Sequence, residues 1–499
     1  MPGPKPNGQR VASYKRIILC ADGTWLASDL GTKEVPSNVA TVARTLSPTG
    51  SNSEGELVPQ IVFYHSGLGS GALPLQKAIS GECIPIPSRQ GRGTRLTKFK
   101  GGLGWGLDLD ICQIYEFIAE NYEPGDELFF FGFSRGAFTV RSVAGLVCDV
   151  GVLSKVDMAH FPALWHAYQN NQSGQPFASS PWYQDNAQKF HLSSNVRIKV
   201  IAVWETVGAL VSILPALMRS IFSRTNAEQG IPEWPLVKAL EKIGVPVNSD
   251  LKFYNTNLSP GVDYAFQALA LDEQRLTFPP TMWHKTEKAP AIDLEQCWFP
   301  GVHANLGGQG EIPASQSDHG EIGNISFAWM VDNVAGMLTF NGDAIDKLVK
   351  QHQHAFTINA IPNGWGCGPI ISDFAGVQGA FFRLLGQQDR TPGNYPRDPG
   401  DGQGGATNES FHPIVRLRKR KVPAWTPKSI QDWSLKEPHG GQGWSWSRIG
   451  LPPMREWSLR KEKMHLAVKV DGLTRFEVGE SLSRRLCPPD ILMALDREQ

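Results

Sequence analysis

The sequence predicts an α/β protein with a mostly parallel central sheet flanked by helices. Three observations carry this prediction. Continuous apolar runs, typical of strands buried on both faces, recur through the first two thirds of the 499-residue chain. Helical patterns separate these runs, and the runs end in small or polar residues that begin turns. Such alternation favours right-handed crossovers and places chemistry at the carboxyl ends of the strands.

Six apolar runs are the predicted strands, and each ends in turn residues. In chain order they cover residues 16–25, 58–69, 126–134, 196–208, 262–273 and 294–308. A helix is predicted over residues 107–122, because apolar residues recur there at helical spacing and Pro124-Gly125 follows. A second helix is predicted directly after residue 134.

Shifts in this pattern predict the domain boundaries. Residues 1–13 are rich in Pro and Gly and predict a disordered tail, whereas residues 14–340 form the predicted α/β domain. The alternation then weakens, so residues 341–499 are predicted to be a loop-rich C-terminal extension packed on or beside that domain. Within the extension, residues 386–410 predict a long loop, and VRLRKRK at 415–421 predicts an edge strand guarded by charge.

The composition argues against several function classes. Lys plus Arg and Asp plus Glu both total 48, so no global field attracts nucleic acid, and no nucleic-acid partner is expected. The 7 cysteines are scattered without a Cys-x-x-Cys pair, which argues against a disulfide framework and a zinc site. The sequence shows no signal-peptide pattern and no apolar run long enough to span a membrane. We therefore expect a cytoplasmic protein without a metal or cofactor.

Ser134 is the predicted nucleophile. It lies in GFSRG at 132–136, which fits the G-x-S-x-G pattern of a nucleophile elbow, with a predicted strand before it and a predicted helix after it. The two glycines leave room for the strained backbone of such a turn. The five-residue match alone also fits an ordinary strand-to-helix junction, so the interpretation depends on partner residues.

A serine hydroxyl needs a base, and the base needs an acid that holds its tautomer. The order Ser, acid, His of α/β-hydrolases is available here, because Asp272 and then His303 follow two later runs. His303 is preferred among the 12 histidines because it alone follows a late apolar run and enters a Gly-rich turn. Asp272 is the favoured acid, and Glu205, in WETVG at the end of another run, is the alternative.

The tetrahedral intermediate of such a reaction also needs backbone N–H donors. One is expected from Arg135, the residue after the nucleophile, and the other from the Asp22-Gly23-Thr24 loop after the first strand. The small residues of this loop would let its backbone approach the oxyanion. A plain turn is the alternative interpretation of this loop.

Seven motifs occur in order over roughly residues 14–340 and carry a family resemblance. They are DGTW, YHSGLG, GFSRGAF, WETVG, ALALDEQR, WFPGVHANLGG and FAWM. Together they resemble the α/β-hydrolase-like family of unknown-function domains that includes the phospholipase catalytic domains of bacterial type VI secretion effectors. GCGPI, RTPGNY and TNESFHPIVRLR further along resemble the C-terminal continuation of fungal members.

The resemblance implies an α/β-hydrolase-like fold and hydrolysis of carboxylic esters, with phospholipid acyl esters among them. Matched position by position, it implies Ser134 as nucleophile, His303 as base and the Asp22 loop as part of the site. Glu205 and Asn305 stand where the family usually has Asp. These departures motivate an alternative function, a catalytically weakened α/β-hydrolase scaffold that binds a ligand or partner.

Two segments bear on contact with lipid. Residues 207–222 predict a buried helix packed on the sheet, and a lid that transiently touches a membrane surface is the alternative. Residues 89–106 are Gly-rich and basic but lack the order of a P-loop, and they predict a solvated surface loop. The expected partner is therefore a small-molecule or lipid ester substrate.

Overall fold

The computed structural model describes most of the chain, and the structural statements below concern the described residues. These are residues 10–23, 36–67, 104–171, 176–207, 256–285, 291–308, 320–358, 361, 363–374, 379, 382–383, 386–395, 406–438, 443–459 and 462–498.

The strands are short and bounded by turns. They are β1 (Arg16–Ala21), β2 (Thr49–Ser51), β3 (Leu57–His65), β4 (Glu127–Phe133), β5 (Val152–Leu153), β6 (Leu192–Ser193), β7 (Ile198–Trp204), β8 (Val262–Ala270), β9 (Asp293–Phe299), β10 (Thr339–Asn341), β11 (Glu409–Phe411), β12 (Ser434–Lys436), β13 (Ser445–Ser447), β14 (Met454–Glu456), β15 (Met464–Val470) and β16 (Leu473–Gly479).

The helices alternate with the strands in the first two thirds of the chain. They are α1 (Asn38–Thr45), α2 (Gly104–Asn121), α3 (Arg135–Val150), α4 (Phe161–Gln169), α5 (Pro181–Asn186), α6 (His303–Leu306), α7 (Glu321–Val334), α8 (Gly342–Thr357), α9 (Pro413–Lys421), α10 (Leu482–Leu486) and α11 (Pro489–Arg497). Short 3-10 turns occur at Lys155–His160, Phe177–Ser179, Ala187–Lys189 and Lys428–Ile430.

One sheet of 11 strands, in the order β12-β13-β14-β11-β9-β8-β7-β4-β1-β3-β2, runs through the fold. From β14 to β3 every neighbouring pair is parallel. Antiparallel pairs occur only near the two edges, at β2 and at β12 and β13. The prediction of an α/β fold with a mostly parallel central sheet is confirmed, and all six predicted strands are present as β1, β3, β4, β7, β8 and β9.

The strands of the sheet centre are apolar throughout because both of their faces are buried. In β1, Ile18 packs on the face that α1 and α7 cover, and Ile17 packs on the opposite face, which α2 and α3 cover. The same alternation continues in β4, where Phe129 and Phe130 lie on opposite faces. A helix layer on each side thus holds the carboxyl ends of the central strands at one edge of the sheet.

The C-terminal extension contributes strands to the same sheet. Its strand β11 pairs with β9 in parallel, and β14 pairs with β11. Phe411 of β11 is fully buried and contacts Trp433 and Trp446 at ring-centroid distances of 5.5 and 5.1 Å. A second sheet, β10-β15-β16, joins β10 to the C-terminal hairpin.

The prediction of an edge strand at residues 415–421 is wrong, because this segment is part of helix α9. Pro413 stands in the first turn, where its fixed φ favours a helix, and the side chain of His412 caps the N-terminus by accepting from Ile414 N–H. The alternation of apolar and basic residues in VRLRKRK has the period of a strand, and the sequence therefore predicted a strand here instead of a helix. Arg416 is buried and forms an ion pair with Glu456. The sequence pattern alone would place this basic residue on the exposed side.

Part of the predicted N-terminal tail lies along the sheet. Ala12 N–H donates to Leu57 C=O at 2.9 Å, and Leu57 N–H donates to Arg10 C=O at 2.8 Å. Residues 10–12 are therefore ordered against β3, and residues 1–9 lie outside the described residues.

Phe411→Ala tests whether β11 is an integral part of the sheet. The substitution removes a fully buried ring and should destabilise the protein by about 3–5 kcal/mol. The control is Leu473→Ala in β16, a side chain 58% exposed, for which we expect a change within about 0.5 kcal/mol. The measurement is the urea midpoint of the full chain. Equal midpoints for the two variants would contradict the buried position of β11.

Candidate active site

Ser134 lies on the turn between β4 and α3, at the carboxyl edge of the sheet. Its φ of 57° and ψ of −121° are unusual for a residue with a side chain, and its N–H donates to Trp204 C=O at 3.1 Å. Few non-glycine residues adopt positive φ, and such strain persists only where the surrounding structure enforces it. The turn therefore has the backbone geometry that the G-x-S-x-G pattern predicts.

Both glycines of this pattern are required by close packing. A Cβ on Gly132 would lie 2.6 Å from Ala137 Cα, and a Cβ on Gly136 would lie 2.1 Å from the carbonyl oxygen of Ala21. Each of these neighbours is backbone and cannot swing aside. The first turn of α3 thus sits directly on the end of β1, which fixes Ser134 beside the loop that begins at Asp22.

Glu205 follows the neighbouring strand β7 and is 1% exposed. Like Ser134 it has a positive φ, of 46°, which turns its side chain out of the strand direction. Its Oε1 accepts from Ala270 N–H at 2.7 Å, and its Oε2 contacts His303 Nδ1 at 3.3 Å and Arg390 Nη2 at 2.7 Å. Three donors from three separate segments therefore hold one carboxylate.

His303 opens the short helix α6 after β9 and is 5% exposed. Its ring lies 4.6 Å from the ring of Phe133, the residue before Ser134, and 5.0 Å from the ring of Phe278. The close approach requires Gly307, since a Cβ there would lie 2.2 Å from the Phe133 ring. Burial lowers the pKa of the His303 ring, although the hydrogen bond and charge of Glu205 act to raise it.

The structure brings Glu205, rather than Asp272, to the His303 ring. Both oxygens of Asp272 have other partners: Oδ2 accepts from Gly301 N–H at 2.6 Å, and Oδ1 accepts from Trp425 Nε1–H at 2.8 Å. Burial raises the pKa of Asp272 to about 6, although these hydrogen bonds act to lower it. Asp272 thus holds the Pro-Gly turn that leads into His303.

Ser134 and Glu205 end neighbouring strands, and His303 packs against the residue beside Ser134. Within the described part of the chain, no hydrogen bond joins Ser134 Oγ to His303. Such bonds are often long or poorly aligned before substrate binds. The three side chains therefore share one edge of the sheet, with the His-carboxylate contact already formed.

A ring of buried charges surrounds the contact between Glu205 and His303. Glu273 accepts from His303 N–H at 3.2 Å and pairs with Arg275, whose Nη2 lies 2.8 Å from Glu273 Oε2. Burial acts to raise the pKa of Glu273, but the charge and hydrogen bonds of Arg275 hold it well below its usual range. Burial and the neighbouring Glu273 charge raise the pKa of Asp373 to about 9.

Sequence reasoning missed Glu273, Arg275, Asp373 and Arg390. The first two stand in the quoted motif ALALDEQR, and Arg390 begins the quoted motif RTPGNY. The available signal for these residues is that they are charged and stand inside motifs that carry the family resemblance. Arg390 was overlooked because its surroundings are rich in Gly, Pro and Asp and predict only a loop.

The loop after β1 is held by Asp22, which is 3% exposed. Its Oδ1 accepts from Gly23 N–H at 2.8 Å, and its Oδ2 accepts from the hydroxyls of Ser37 and Tyr64 at 2.5 and 2.7 Å. Burial raises the pKa of Asp22, and these hydrogen bonds act to lower it. Gly23 N–H is thus already donated to Asp22, and Thr24 lies outside the described residues.

Arg135 opens helix α3, directly after Ser134. Burial lowers the pKa of its guanidinium to about 10, although the charge of Asp110 acts to raise it. Burial also raises the pKa of Asp110 to about 7, against the effect of its neighbour His65, whose Nε2 lies 3.6 Å from Asp110 Oδ1. Arg135, Asp110 and His65 form a second polar cluster near the turn of Ser134. In the strand order, His65 ends β3, which lies on one side of β4, whereas Glu205 follows β7, which lies on the other side.

Of the segments expected to bear on lipid contact, 207–222 and 89–106, residues 208–222 and 89–103 lie outside the described residues. Residues 104–106 begin helix α2, so the prediction of a loop is wrong for these three residues. Among the helices that the structure does describe, none is both long and apolar enough to cross a membrane. The described residues also contain no group of three or more His, Cys, Asp or Glu side chains placed to hold a metal ion.

Comparison with known protein families gives a match over more than half of the chain. The family model described as T6SS, Phospholipase effector Tle1-like, catalytic domain matches residues 15–333. Uncharacterized protein YEL023C of Saccharomyces cerevisiae (strain ATCC 204508 / S288c) is 28% identical over 220 residues, which are 43% of this chain and 30% of that protein. The chain thus spans about a third of the length of this relative.

Two solved structures are similar at low identity. The Tle1 effector bound to the VgrG spike of the type 6 secretion system is 16% identical, with a TM-score of 0.25, over 62% of this chain and 53% of that chain. An uncharacterized protein from Pseudomonas aeruginosa is 14% identical, with a TM-score of 0.32, over 66% of this chain and 47% of that chain.

Gly136→Ala tests the packing of the Ser134 turn. The new Cβ would lie 2.1 Å from the carbonyl oxygen of Ala21, so the first turn of α3 must move, and we expect a loss of roughly 1–3 kcal/mol or more. The control is Gly336→Ala, where a Cβ has no atom within 4 Å. The measurement is again the urea midpoint. A Gly136→Ala midpoint as high as that of Gly336→Ala would contradict the close approach of α3 to β1.

Proposed function

The chain belongs to the family of Tle1-like phospholipase effector catalytic domains, and from that premise we propose that it is a serine hydrolase of carboxylic esters with an α/β-hydrolase fold. The observation that carries the proposal is the hydrogen bond between His303 and the buried Glu205, formed at the sheet edge where Ser134 occupies a strained turn. A nucleophile, a base and an acid on neighbouring segments match the roles that acyl transfer requires.

In the proposed reaction, His303 accepts the proton of Ser134 Oγ as the oxygen attacks the acyl carbonyl carbon. The tetrahedral intermediate collapses when the ester C–O bond breaks, and His303 gives the proton to the leaving alcohol. Water then attacks the acyl-enzyme, with His303 as base, and Ser134 regains its proton. The lowered pKa of His303 favours the neutral ring, which is the form that can accept a proton.

We assign the role of triad acid to Glu205 instead of the initially favoured Asp272. The Glu205 carboxylate contacts Nδ1 of His303, which leaves Nε2 for the serine. The hydrogen bonds of Asp272 go to Gly301 and Trp425 instead. A glutamate carries its carboxylate one bond further from the backbone than an aspartate does, and Glu205 also has a positive φ of 46°.

The backbone N–H of Arg135 is the proposed first oxyanion donor, since it opens α3 directly after the nucleophile. Gly23 N–H, the other predicted donor region, already donates to Asp22 Oδ1 at 2.8 Å. Asp22 is then a positioning residue that shapes this loop.

The proposed substrate is an acyl ester of a phospholipid or of a smaller alcohol, as the family match suggests. Such a substrate implies transient contact with a lipid surface, and a cytoplasmic location remains part of the proposal.

A second candidate function is a weakened hydrolase scaffold that binds a ligand without turnover. Two observations favour it: Ser134 Oγ is not hydrogen-bonded to His303 among the described residues, and Arg390 already neutralises Glu205. Binding of a lipid ester without release of its acyl chain would identify this function.

Ser134→Ala tests the nucleophile. Loss of the attacking oxygen should lower esterase activity by about 10⁴-fold or more and abolish labelling by a fluorophosphonate probe. The control is Ser142→Ala on helix α3, a buried serine whose hydroxyl donates to Phe138 C=O at 2.9 Å. The measurements are hydrolysis of short and long acyl esters and mass-spectrometric mapping of the label. Full activity in Ser134→Ala would refute the proposal.

Glu205→Gln and Asp272→Asn together identify the acid. The glutamine has no charge to stabilise the imidazolium, so kcat/KM should fall by about 10³-fold or more. Asp272→Asn keeps an acceptor for the turn and should retain at least about tenfold more activity than Glu205→Gln. The measurement is kcat/KM on one soluble ester, with the thermal midpoint of each variant as a folding control. The reverse order of activities would make Asp272 the acid.

A further inference from the structure

Arg390 contacts the same carboxylate oxygen that holds His303. Its Nη2 donates to Glu205 Oε2 at 2.7 Å, and His303 Nδ1 lies 3.3 Å from that oxygen. Both side chains are buried, with Arg390 only 4% exposed. Arg390 lies beyond residues 15–333, the part of the chain that matches the family model. A residue of the C-terminal extension therefore completes the charge environment of the proposed triad.

The segment around Arg390 is fixed on both sides. Before it, Gln388 N–H donates to Gln274 C=O at 2.9 Å, and Leu276 N–H donates to Gly386 C=O at 3.3 Å, so the segment pairs with the chain just after β8. After it, Gly393 N–H donates to Glu409 Oε2 at 2.8 Å. The segment that carries Arg390 is thus held by hydrogen bonds of its backbone groups, none of which involves the Arg390 side chain.

The buried charges around His303 balance without a proton on its ring. Glu205 and Glu273 carry negative charge, and Arg275 and Arg390 carry positive charge. Asp373, whose pKa is raised to about 9, holds its proton at neutral pH. Where a histidine faces a single carboxylate without an arginine, the positive charge of the protonated ring balances the negative charge of the carboxylate. Here Arg390 has already done so, and a proton on His303 leaves a net positive charge in a buried cluster.

We propose that Arg390 is a positioning residue that clamps Glu205 and makes His303 a weaker base than a Glu-His pair alone. The inference rests on the proposed function of the same site and deepens it, because it sets the pH range in which the hydrolase works. The charge on Arg390 is permanent over this range: burial acts to lower its pKa, but Glu205 and Tyr395 raise it above the usual value. Arg390 therefore opposes protonation of the Glu205-His303 pair through its contact with Glu205, and the charge of Arg275 also acts to lower the pKa of His303.

The sign of the effect follows from electrostatics. Removing a positive charge beside two coupled groups raises their affinity for a proton, whichever of the two groups takes it. The acidic limb of the kcat/KM profile marks the pH at which the pair gains its proton, so this limb moves to higher pH when Arg390 is neutralised. At the short distance between Arg390 and Glu205, loss of the arginine charge should raise the pKa of the pair by about one unit or more.

The experiment compares Arg390→Met, Arg390→Gln and Arg390→Lys with the wild-type chain. We expect the midpoint of the acidic limb of the kcat/KM profile, measured on a soluble ester, to move to higher pH by about one unit in the two neutral variants. The shift should be smaller in Arg390→Lys, which keeps a positive charge. The matched control is Arg416→Met, which removes a buried arginine that pairs with Glu456 in the same extension, away from His303. A uniform loss of activity at all pH values, or a limb that does not move, would overturn the proposal.

A second measurement separates this inference from the proposed function. The His303 ring can be titrated by ¹H–¹⁵N correlation spectra of protein labelled with ¹⁵N-histidine, in the Ser134→Ala background, with His303→Gln used to assign its signals. The pH at which these signals shift should rise in Arg390→Met, whether or not the wild-type chain hydrolyses an ester. An absence of labelling and turnover in the wild type would refute the hydrolase, whereas an unchanged ring titration would refute the role of Arg390.

Discussion

The carboxylate of Glu205 is the interaction on which the arrangement of the site depends. One oxygen accepts the N–H of Ala270 at the end of β8, and the other is shared by His303 and Arg390. A buried carboxylate without donors would be costly, and these three donors together stabilise the ionised group. Through them the end of β7 is tied to β8, to α6 and to the C-terminal extension.

The C-terminal extension adds to the sheet and also supplies one of the donors to Glu205. Arg390 reaches Glu205 only because residues 386–388 run along the chain after β8, and β11 then continues the sheet beside β9. Asn305 supports this link from the other side: its Oδ1 accepts from Ile371 N–H at 3.2 Å, and its Nδ2 donates to Pro369 C=O at 3.2 Å. The amide of Asn305 can donate and accept, and an ionised aspartate could only accept.

Much of the fold was predictable because its signals are local. Six buried strands were visible as apolar runs, and the Ser134 turn was visible because close packing allows only glycine at 132 and 136. The choice between Asp272 and Glu205 was not local, since both follow strands and only the three-dimensional path of each side chain separates them. Arg390 is 185 residues from its partner, and no periodic pattern reports such a contact.

Glu205 and Asn305, the residues at which the chain departs from the pattern that the resemblance implies, both form contacts around His303. Glu205 has a positive φ, and its Oε2 accepts from Arg390 Nη2 at 2.7 Å while it contacts His303 Nδ1 at 3.3 Å. Asn305 in turn fixes the turn of His303 by accepting from Val302 N–H at 3.1 Å. These contacts argue for a site adjusted to a glutamate, because a decayed site has no reason to keep a buried, fully bonded carboxylate.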